Sequence, residues 1–399
     1  MARYDSGNQK TKRERRQEER RKVKQIKLIV FICITVLLAV SFIFTEKIEG
    51  LLNPVVESNT TESVELSQIG DDGLKIHYLA VGQGDCTVIE FPDDKIMVID
   101  AGISKSADII INYINDMVLD EGETKIDYFL ITHSDADHIG SAVDLLNAFD
   151  IEYIFRPNIY TEKEKEDNPE LTDVMVSKTV MWKNTVEAIN AETDAEKIIF
   201  NYDYVISGQE ILSNDSTDNA LDYEVKFYYP WTINCADNVN DFSPIFIVSY
   251  KGADFMFTGD SSSEVEEEFM ARYATEIAKG EFDVEVLKLG HHGSKHSTSA
   301  EFLDAVTPEE AIVSCGEGNS YGHPHNEVID RLAEEQIAIR RTDTDGTILY
   351  YVSPLGKISA VGNAYRPKTY YIHWWYIAAS IFVVSFCFCI LGKRVKIKT

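Results

Sequence analysis

The stretch ITHSDADHIG, residues 131–140, gathers side chains that can bind a metal into one short turn. The run before it, residues 126–131, is apolar, β-branched and aromatic, which predicts a buried strand. Apolar residues recur at helical spacing over residues 139–149, and a glycine eases the turn between the two elements. The tight strand-to-helix turn therefore carries four metal-capable side chains, His133, Asp135, Asp137 and His138.

These four side chains are expected to face two points that lie close together. Alternate residues leaving a strand point the same way, so His133 and Asp135 share one direction, while Asp137 and His138 face a second point. Imidazole and carboxylate ligands suit Zn²⁺, Mn²⁺ or Fe²⁺ better than Ca²⁺. An acidic helix cap is the alternative for the aspartates, but two histidines and two aspartates within six residues favour a metal site.

Histidines recur after other predicted strands. In layered α/β folds the strand ends face a common crevice, so we expect the histidine clusters to meet at one edge. Asp260, at the end of the strand that leads into residues 258–260, is expected at the same edge as a carboxylate shared by two divalent ions that activate a water. Seven of the nine histidines form three such clusters: His133 and His138; His291, His292 and His296; His323 and His325.

Two loops near the start of the predicted sheet also carry carboxylates. Gly82-Gln83-Gly84-Asp85 joins two strands, which indicates a tight turn or a loop at the substrate edge. A nucleotide-binding loop would need the full glycine pattern and a following helix, so no nucleotide cofactor is expected. Asp100 ends a strand beside a glycine, where it is either a simple turn residue or a hydrogen-bond partner of a metal-ligand histidine.

The two ends of the chain predict membrane anchors. Residues 26–45 and 374–392 are apolar and long enough to span a bilayer. Residues 1–27 hold eleven Lys/Arg against four Asp/Glu, and residues 393–399 hold four Lys/Arg and no acid. Because basic flanks stay in the cytoplasm, both termini are expected there, with the intervening domain outside the plasma membrane. No small-residue cleavage site follows the first span, which favours a retained anchor over a signal peptide.

The predicted external region is strongly acidic. Residues 28–392 carry the remaining 23 Lys/Arg and 62 Asp/Glu, a net charge of −39, whereas the whole chain has −28. A surface of this charge repels polyanions at long range and does not favour broad nucleic-acid binding. An anionic substrate is therefore expected to be held locally, by metal.

The ordered motifs over about residues 72–362 resemble the metallo-β-lactamase superfamily, whose signature is His-x-His-x-Asp-His. In particular, they resemble the extracellular hydrolase domain of the ComEC-type competence proteins. The number and the order of the motifs make this resemblance specific. The matching segments are Val81–Asp85, Ile99–Gly102, Thr132–His138, Thr258–Asp260, His291–Ser294 and Gly322–Pro324.

The resemblance implies an α/β fold, an αββα sandwich with the site at one edge of two packed sheets. It also implies a divalent metal cofactor, one or two ions of Zn²⁺ or Mn²⁺. The metal ligands that it implies are His133, Asp135, Asp137, His138, Asp260 and His291, with His292 as the alternative to His291. The catalytic residues are expected to be Asp137, His292 and His323. Supporting roles around metal or substrate fall to Gln83, Asp85, Asp100, Asn240, Ser294 and His325.

Two departures from the superfamily pattern concern the metal ligands. Asp135 stands where the superfamily has its second histidine, as it does in the ComEC branch. The separate third-motif histidine is missing, because residues 237–249 contain no histidine and offer only Asn238, Asn240 and Ser243. One metal position is therefore short of ligands, which favours single, weak or Mn²⁺-like occupancy over tight Zn²⁺ binding.

The function expected from the sequence is that of a membrane-anchored extracellular hydrolase. A phosphodiesterase that uses a metal-activated water is favoured, with DNA or a cell-envelope phosphodiester as substrate. The alternatives are an anchored binding or scaffold protein without turnover, and a lactamase or thioesterase. The oligomeric state stays open. The expected order is a basic tail (1–25), a transmembrane helix (26–45), a polar linker (46–72), the metallo-β-lactamase-fold domain (73–362) with a lid or insert (158–222), a transmembrane helix (374–392) and a basic tail (393–399).

Overall fold

The structure is a computed structural model of the 399-residue chain. It describes residues 61–171, 174–200, 212–213, 222–228 and 238–362, together with residues 18, 21–22 and 25. Both predicted membrane spans lie outside these residues. Within the described part of the chain, no helix is both long and apolar enough to cross a bilayer.

The described elements are numbered in chain order. The strands are β1 (Thr61–Val64), β2 (Leu74–Tyr78), β3 (Thr87–Glu90), β4 (Ile96–Ile99), β5 (Lys125–Leu130), β6 (Asp150–Pro157), β7 (Ile159–Tyr160), β8 (Met175–Val176), β9 (Glu196–Phe200), β10 (Leu212–Ser213), β11 (Tyr223–Phe227), β12 (Phe246–Tyr250), β13 (Ala253–Phe257), β14 (Val286–Lys288), β15 (Glu310–Val313), β16 (Ala338–Arg341), β17 (Ile348–Val352) and β18 (Ile358–Val361). The α-helices are α1 (Ala107–Met117), α2 (Ala136–Ile139), α3 (Ala142–Ala148), α4 (Glu162–Asp167), α5 (Val180–Ala191), α6 (Ser263–Arg272), α7 (Ala274–Ile277), α8 (Ala300–Val306), α9 (Asn326–Glu334) and α10 (Thr342–Asp345). Short 3₁₀ turns cover Leu66–Gln68, Val239–Phe242 and Gly290–Gly293.

Two mixed sheets form the centre of the fold. The first has the strand order β1-β18-β17-β2-β3-β4-β5-β6-β9, and the second has the order β10-β11-β12-β13-β14-β15-β16. Strands β7 and β8 form a separate parallel pair. The hairpins pair antiparallel, whereas β4, β5, β6 and β9 run parallel in the first sheet and β13 to β16 run parallel in the second.

Three apolar cores hold four layers together, as the αββα prediction requires. The alternation of side chains along β12 shows how: Phe246 and Val248 face the core between the sheets, while Ile247 faces the helices that cover the second sheet. Helices α6, α8 and α9 supply that outer core, and α1, α3 and α5 cover the first sheet. The fold is therefore a mixed α/β sandwich of two sheets between two helical layers.

Two predicted boundaries differ from the structure. Residues 61–64, expected in the polar linker, form β1 and pair in parallel with β18. Part of the segment 158–222, expected to be a lid or solvated surface, belongs to the fold itself: β9 extends the first sheet beside β6, and α5 buries Trp182 in its outer core. The apolar stripe of this segment was not recognised from the sequence, because charged residues on its solvent side alternate with it.

The strands that carry the predicted site end together at one edge of the sandwich. Asp100 follows β4 and His133 follows β5, two parallel neighbours in the first sheet. Asp260 follows β13 and His291 follows β14, two parallel neighbours in the second sheet. The carboxyl ends of both sheets thus deliver the histidine and aspartate clusters to one place, as predicted.

Candidate metal centre

Asp260 is the carboxylate around which the imidazoles gather. Its Oδ1 lies 3.2 Å from His138 Nε2. Its Oδ2 lies 3.8 Å from His133 Nε2, 3.6 Å from His291 Nε2 and 3.8 Å from His292 Nε2. Four imidazoles from two separate segments therefore face one buried carboxylate, whose role as a shared ligand stays a prediction.

The three buried imidazoles each use Nδ1 for a protein contact. His138 Nδ1 lies 2.7 Å from Asp100 Oδ2, and His292 Nδ1 lies 2.9 Å from the carbonyl oxygen of Ser314. His133 Nδ1 lies 3.0 Å from Thr132 Oγ1. A neutral imidazole that donates from Nδ1 keeps its lone pair on Nε2, so in its neutral form each of the three rings presents an acceptor nitrogen to the centre.

These acceptor nitrogens have no hydrogen-bond partner. Among the described residues, the buried Nε2 atoms of His133, His138 and His292 are unpaired, as are Asp260 Oδ1 and Asp85 Oδ1. Buried polar atoms are almost always paired, so five unpaired acceptors around one point fit the ligand atoms of a cation site. One ligand atom from each of Asp85, His138, Asp260 and His292 lies within 4.8 Å of all the others, which is close enough to hold one metal ion.

Asp100 fixes the orientation of His138. It accepts hydrogen bonds from the backbone N–H of Thr132 (2.8 Å) and from Thr132 Oγ1 (2.8 Å), so both of its oxygens are held. The backbone N–H of Ala101 also donates to the His138 carbonyl oxygen (2.6 Å). A carboxylate behind a ligand imidazole fixes its tautomer and raises its basicity, which matches the supporting role expected for Asp100.

Three residues at the centre adopt the left-handed backbone region. Asp100 has φ 58°, His291 has φ 48° and His292 has φ 56°. Such angles are uncommon for residues other than glycine, and strained residues of this kind cluster at functional sites. The consecutive left-handed pair directs two neighbouring rings into the centre.

The structure favours His292 over His291 for the buried ligand position. His292 is buried, and its Nε2 lies 3.3 Å from Asp137 Oδ2. The side chain of His291 is 33% exposed and approaches Asp260 from the rim. The sequence prediction had the opposite preference, because adjacent residues in an irregular turn cannot be told apart by periodicity. The individual roles of the two histidines stay predictions.

The remaining predicted residues lie at the edge of the centre or away from it. Ser294 Oγ accepts from the His296 backbone N–H (3.4 Å), and His325 Nδ1 accepts from that of Lys295 (3.1 Å), so both organise the following loop. The backbone N–H of Asn240 donates to Asn238 Oδ1, while its own buried Oδ1 has no partner in the described structure.

Asp135 stands where the superfamily pattern has its second histidine, and Ser243 lies in the segment 237–249, which lacks the third-motif histidine. Asp135 is half-buried, and burial followed by the charges of Asp137 and Asp260 raises its pKa. Ser243 Oγ accepts from the Asp260 backbone N–H (3.0 Å) and lies 3.3 Å from His133 Nδ1. Ser243 therefore supports the centre by hydrogen bonds from the region of the missing third-motif histidine.

His323 lies at the mouth of the centre, held by Gln83. Its ring lies 5.5 Å from His291 and 6.0 Å from His292 between centroids. Gln83 Nε2 lies 3.4 Å from His323 Nδ1, and Gln83 Oε1 accepts from the Gly316 backbone N–H (3.1 Å). Since an amide nitrogen only donates, His323 Nδ1 is the acceptor, and the ring proton is on Nε2.

Lys288 is a site residue that the sequence analysis missed. It lies in β14 and is buried, with Nζ 2.7 Å from Asp85 Oδ2. A lysine inside a short apolar strand gave no signal of its own. Its partner lies 203 residues earlier in the chain, so only the packed sheets bring the two together.

The charges of the centre are those of a cation site. Burial alone raises the pKa of Asp260, but the charges of His138 and His292 outweigh burial and leave its pKa well below the usual range. Burial lowers the pKa of His138, yet Asp260 and Asp100 hold it well above its usual value. Burial lowers the pKa of His133 to about 3, so this imidazole is neutral and able to bind metal. One lysine faces several carboxylates here, so the residues fit a divalent cation.

The loop that follows the histidine pair is held by a buried glutamate. Glu266 in α6 accepts from the backbone N–H groups of Thr298 (2.5 Å) and Ser299 (2.8 Å). Arg331 holds the same loop from the other side through the carbonyl oxygens of Ser297 and Thr298. Burial raises the pKa of Glu266 to about 7 from its ordinary 4.5. A change in its ionisation therefore acts on the loop next to the centre.

We expect this glutamate to make stability fall as the pH rises. Between the ordinary pKa of 4.5 and the folded pKa of about 7, the folded state binds more protons than the unfolded state, so the stabilisation is present below pH 4.5 and is lost through pH 7. From about pH 4 to about pH 8 the wild type should lose about 3 kcal/mol of unfolding free energy relative to Glu266→Gln. Urea unfolding at several pH values measures this difference, and parallel curves for the two proteins would contradict it.

Comparison with known proteins agrees with this geometry. The family model described as "Metallo-beta-lactamase superfamily" matches residues 79–184. The chain is 28% identical over 240 residues to "ComE operon protein 3" of Bacillus subtilis, an alignment that covers 60% of this chain and 26% of that protein. It is 36% identical over 123 residues to "Competence protein ComA" of Neisseria gonorrhoeae, covering 31% and 16% respectively. The chain thus spans about a quarter or less of the length of these relatives.

The metallo-beta-lactamase fold protein YhfI from Bacillus subtilis aligns with a TM-score of 0.35 and 12% sequence identity, over 64% of this chain and 92% of that chain. The resemblance inferred from the sequence motifs is confirmed by the family match and the competence-protein relatives.

Proposed function

We propose that the chain, which the family model for the metallo-β-lactamase superfamily matches at residues 79–184, is a metal-dependent hydrolase. One observation carries this proposal: the unpaired Nε2 atoms of three buried histidines, His133, His138 and His292, converge on Asp260 at one end of the sandwich. Each ring is held through Nδ1, so the ligand atoms are oriented before any cation binds.

Two kinds of residue take part in the proposed hydrolysis: the metal ligands and a hydrogen-bond donor to the substrate. A bound divalent ion would lower the pKa of a water molecule and polarise a phosphoryl oxygen. Asp260, Asp137 and the buried histidines hold the cation, and Asp100 and Ser314 fix two of the rings. His323 presents its Nε2–H towards the mouth of the site, because Gln83 occupies Nδ1.

His323 is therefore suited to donate a hydrogen bond to the substrate. Burial, followed by the charges of His292 and His291, lowers the pKa of His323 to about 4, so the ring is neutral at neutral pH. A neutral Nε2–H can hydrogen-bond a phosphoryl or leaving-group oxygen without first losing a proton. This supports the site role that the sequence predicted for His323.

A phosphodiester is the proposed substrate class. The similarity to competence proteins supports DNA, and the charge of −39 over residues 28–392 supports an envelope phosphodiester as the second candidate. Either substrate is compatible with the proposed location, an external domain held at the plasma membrane by the two apolar segments. A non-catalytic scaffold is the alternative, and the lack of the third-motif histidine in residues 237–249 supports it.

Metal removal and addition test the proposal on the full-length protein. The metal-stripped protein should not hydrolyse bis-p-nitrophenyl phosphate. Addition of Mn²⁺ or Zn²⁺ should restore turnover, because the bound ion supplies the Lewis acid that activates the water. Turnover should be lost in Asp137→Ala/His138→Ala. The matched control, His77→Ala/Asp127→Ala, removes a buried histidine and a buried aspartate from the same sheet and should retain turnover.

Two outcomes would contradict the hydrolase. If metal binds but neither the model diester, DNA nor envelope phosphodiesters are cleaved, the scaffold alternative replaces it. If no divalent ion binds to the stripped protein, the metal centre itself is wrong.

A further inference from the structure

The loop Gly82–Asp85 is pressed against the metal-binding turn. The backbone N–H of Asp85 donates to the Asp137 carbonyl oxygen (3.1 Å), and the backbone N–H of Gly102 donates to the Asp85 carbonyl oxygen (2.8 Å). A Cβ at Gly84 would lie only 2.5 Å from the Asp137 carbonyl oxygen, so the approach requires a glycine there. The backbone therefore holds Asp85 at a fixed place beside the turn that carries Asp137.

Asp85 forms a buried ion pair that uses only one of its oxygens. Its Oδ2 lies 2.7 Å from Lys288 Nζ, and the two side chains are 7% and 4% exposed. Its Oδ1 is buried, has no hydrogen-bond partner among the described residues, and lies 3.8 Å from His292 Nδ1. The attraction within a buried ion pair offsets the cost of desolvating both charges only when the remaining lone pairs also have partners. The free oxygen of Asp85 therefore needs a further partner.

That partner cannot be His292 itself. His292 Nδ1 already donates to the Ser314 carbonyl oxygen at 2.9 Å. A ligand atom of Asp85 does lie within 4.8 Å of ligand atoms of His138, Asp260 and His292. A carboxylate oxygen of Asp85 therefore lies among the metal-capable atoms, and Oδ1 is the one without a hydrogen-bond partner among the described residues.

We propose that Asp85 is a ligand of the metal ion through an oxygen that its ion pair with Lys288 does not use. Asp85 adds a carboxylate to the side of the centre that already has Asp137, His138, Asp260 and His292. Three carboxylates with two imidazoles exceed the four ligands that Zn²⁺ usually takes and suit Mn²⁺ better. The proposal rests on the metal centre of the proposed function and not on its reaction.

A purely structural ion pair is the competing explanation, and two variants separate the two roles. If the ion pair only fixes the loop of Asp85 against β14, Lys288→Met alone should weaken metal binding as much as loss of both groups. If Asp85 is a ligand, Lys288→Met keeps the ligand, and only Asp85→Asn/Lys288→Met removes it. The double variant also avoids leaving a lysine charge buried without a partner.

Mn²⁺ binding to the metal-stripped, full-length protein provides the test, with the free ion followed by electron paramagnetic resonance. Loss of a supporting or ligand group commonly costs 10–100-fold in metal affinity, so Asp85→Asn/Lys288→Met should bind Mn²⁺ at least about tenfold more weakly. Lys288→Met should stay within about threefold of the wild type. The matched control Asp127→Asn/Lys125→Met removes another lysine–aspartate pair of the fold and should bind as the wild type does.

The proposal is overturned if the double variant binds Mn²⁺ as the wild type does, or if both Lys288 variants lose affinity equally. If the double variant does not fold, the test is the rise in melting temperature that Mn²⁺ causes in Lys288→Met. In that variant the metal becomes the main counter-charge of Asp85, so added Mn²⁺ should raise the melting temperature more than in the wild type, and an equal or smaller rise overturns the proposal. No turnover enters these measurements, so they stand apart from a failure of the hydrolase.

Discussion

Asp260→Asn is expected to lower kcat/KM for metal-dependent phosphodiester hydrolysis by at least about 1,000-fold, which corresponds to about 4 kcal/mol of transition-state stabilisation. The physical reason is its position, since its two oxygens face four imidazole nitrogens from two segments of the chain. The charges of His138 and His292 keep the pKa of Asp260 low against burial, so the carboxylate is ionised and its negative charge is part of the site. Asparagine has nearly the same shape but no charge.

The measurement compares the variant with a carboxylate of the preceding strand. Asp254 lies near the start of β13, the strand that Asp260 follows, and Asp254→Asn should leave kcat/KM within a few-fold of the wild type. Both variants are assayed with saturating Mn²⁺, and bound metal is counted in each. If Asp260→Asn keeps one tenth or more of the wild-type kcat/KM with metal bound, Asp260 is not the shared ligand.

The location of the centre could be predicted from the sequence because strand ends carry local signals. His133 to His138, Asp260 and the histidine pair each follow a short apolar run, and parallel strands of one sheet end at the same edge. The packing of the two sheets then brings these ends together, as the distances around Asp260 show. Local pattern and topology were sufficient for this part.

The finer assignment could not be predicted because it depends on long-range packing and irregular backbone. Lys288 reads as an ordinary residue of a short strand until the fold sets it beside Asp85. The left-handed angles of His291 and His292 decide which ring is buried, and no periodicity describes two such residues in succession. Likewise, β9 is recognisable as a sheet strand only beside β6, because its first two residues are charged and exposed.

A buried ionic cluster joins the two sheets far from these sequence signals. Arg340 in β16 donates from Nε to Glu310 Oε2 in β15 (2.9 Å), and the hydroxyl of Tyr350 in β17 donates to the same oxygen. All three side chains are at most 2% exposed, and the guanidinium lies 5.5 Å from the centre of the Tyr350 ring. β15 and β16 belong to the second sheet and β17 to the first, so the cluster spans the core between them.

Arg340→Met is therefore expected to destabilise the fold by about 3–5 kcal/mol. Methionine fills much of the volume of the arginine stem, but it leaves the Glu310 carboxylate in the core without a counter-charge. Removing one member of a buried pair costs far more than replacing both, because the remaining charge stays desolvated. Urea unfolding of the full-length protein, followed by circular dichroism, measures the change in unfolding free energy.

Two companion variants show whether the stranded charge is the cause. Arg340→Met/Glu310→Gln removes that charge and keeps an acceptor for the Tyr350 hydroxyl, so it should regain most of the lost stability. Lys163→Met breaks the exposed pair with Asp167 in α4 and should leave the unfolding curve unchanged, because exposed pairs contribute little. If the double variant is no more stable than Arg340→Met, the loss comes from packing around the arginine stem, and the two sheets do not depend on the paired charges.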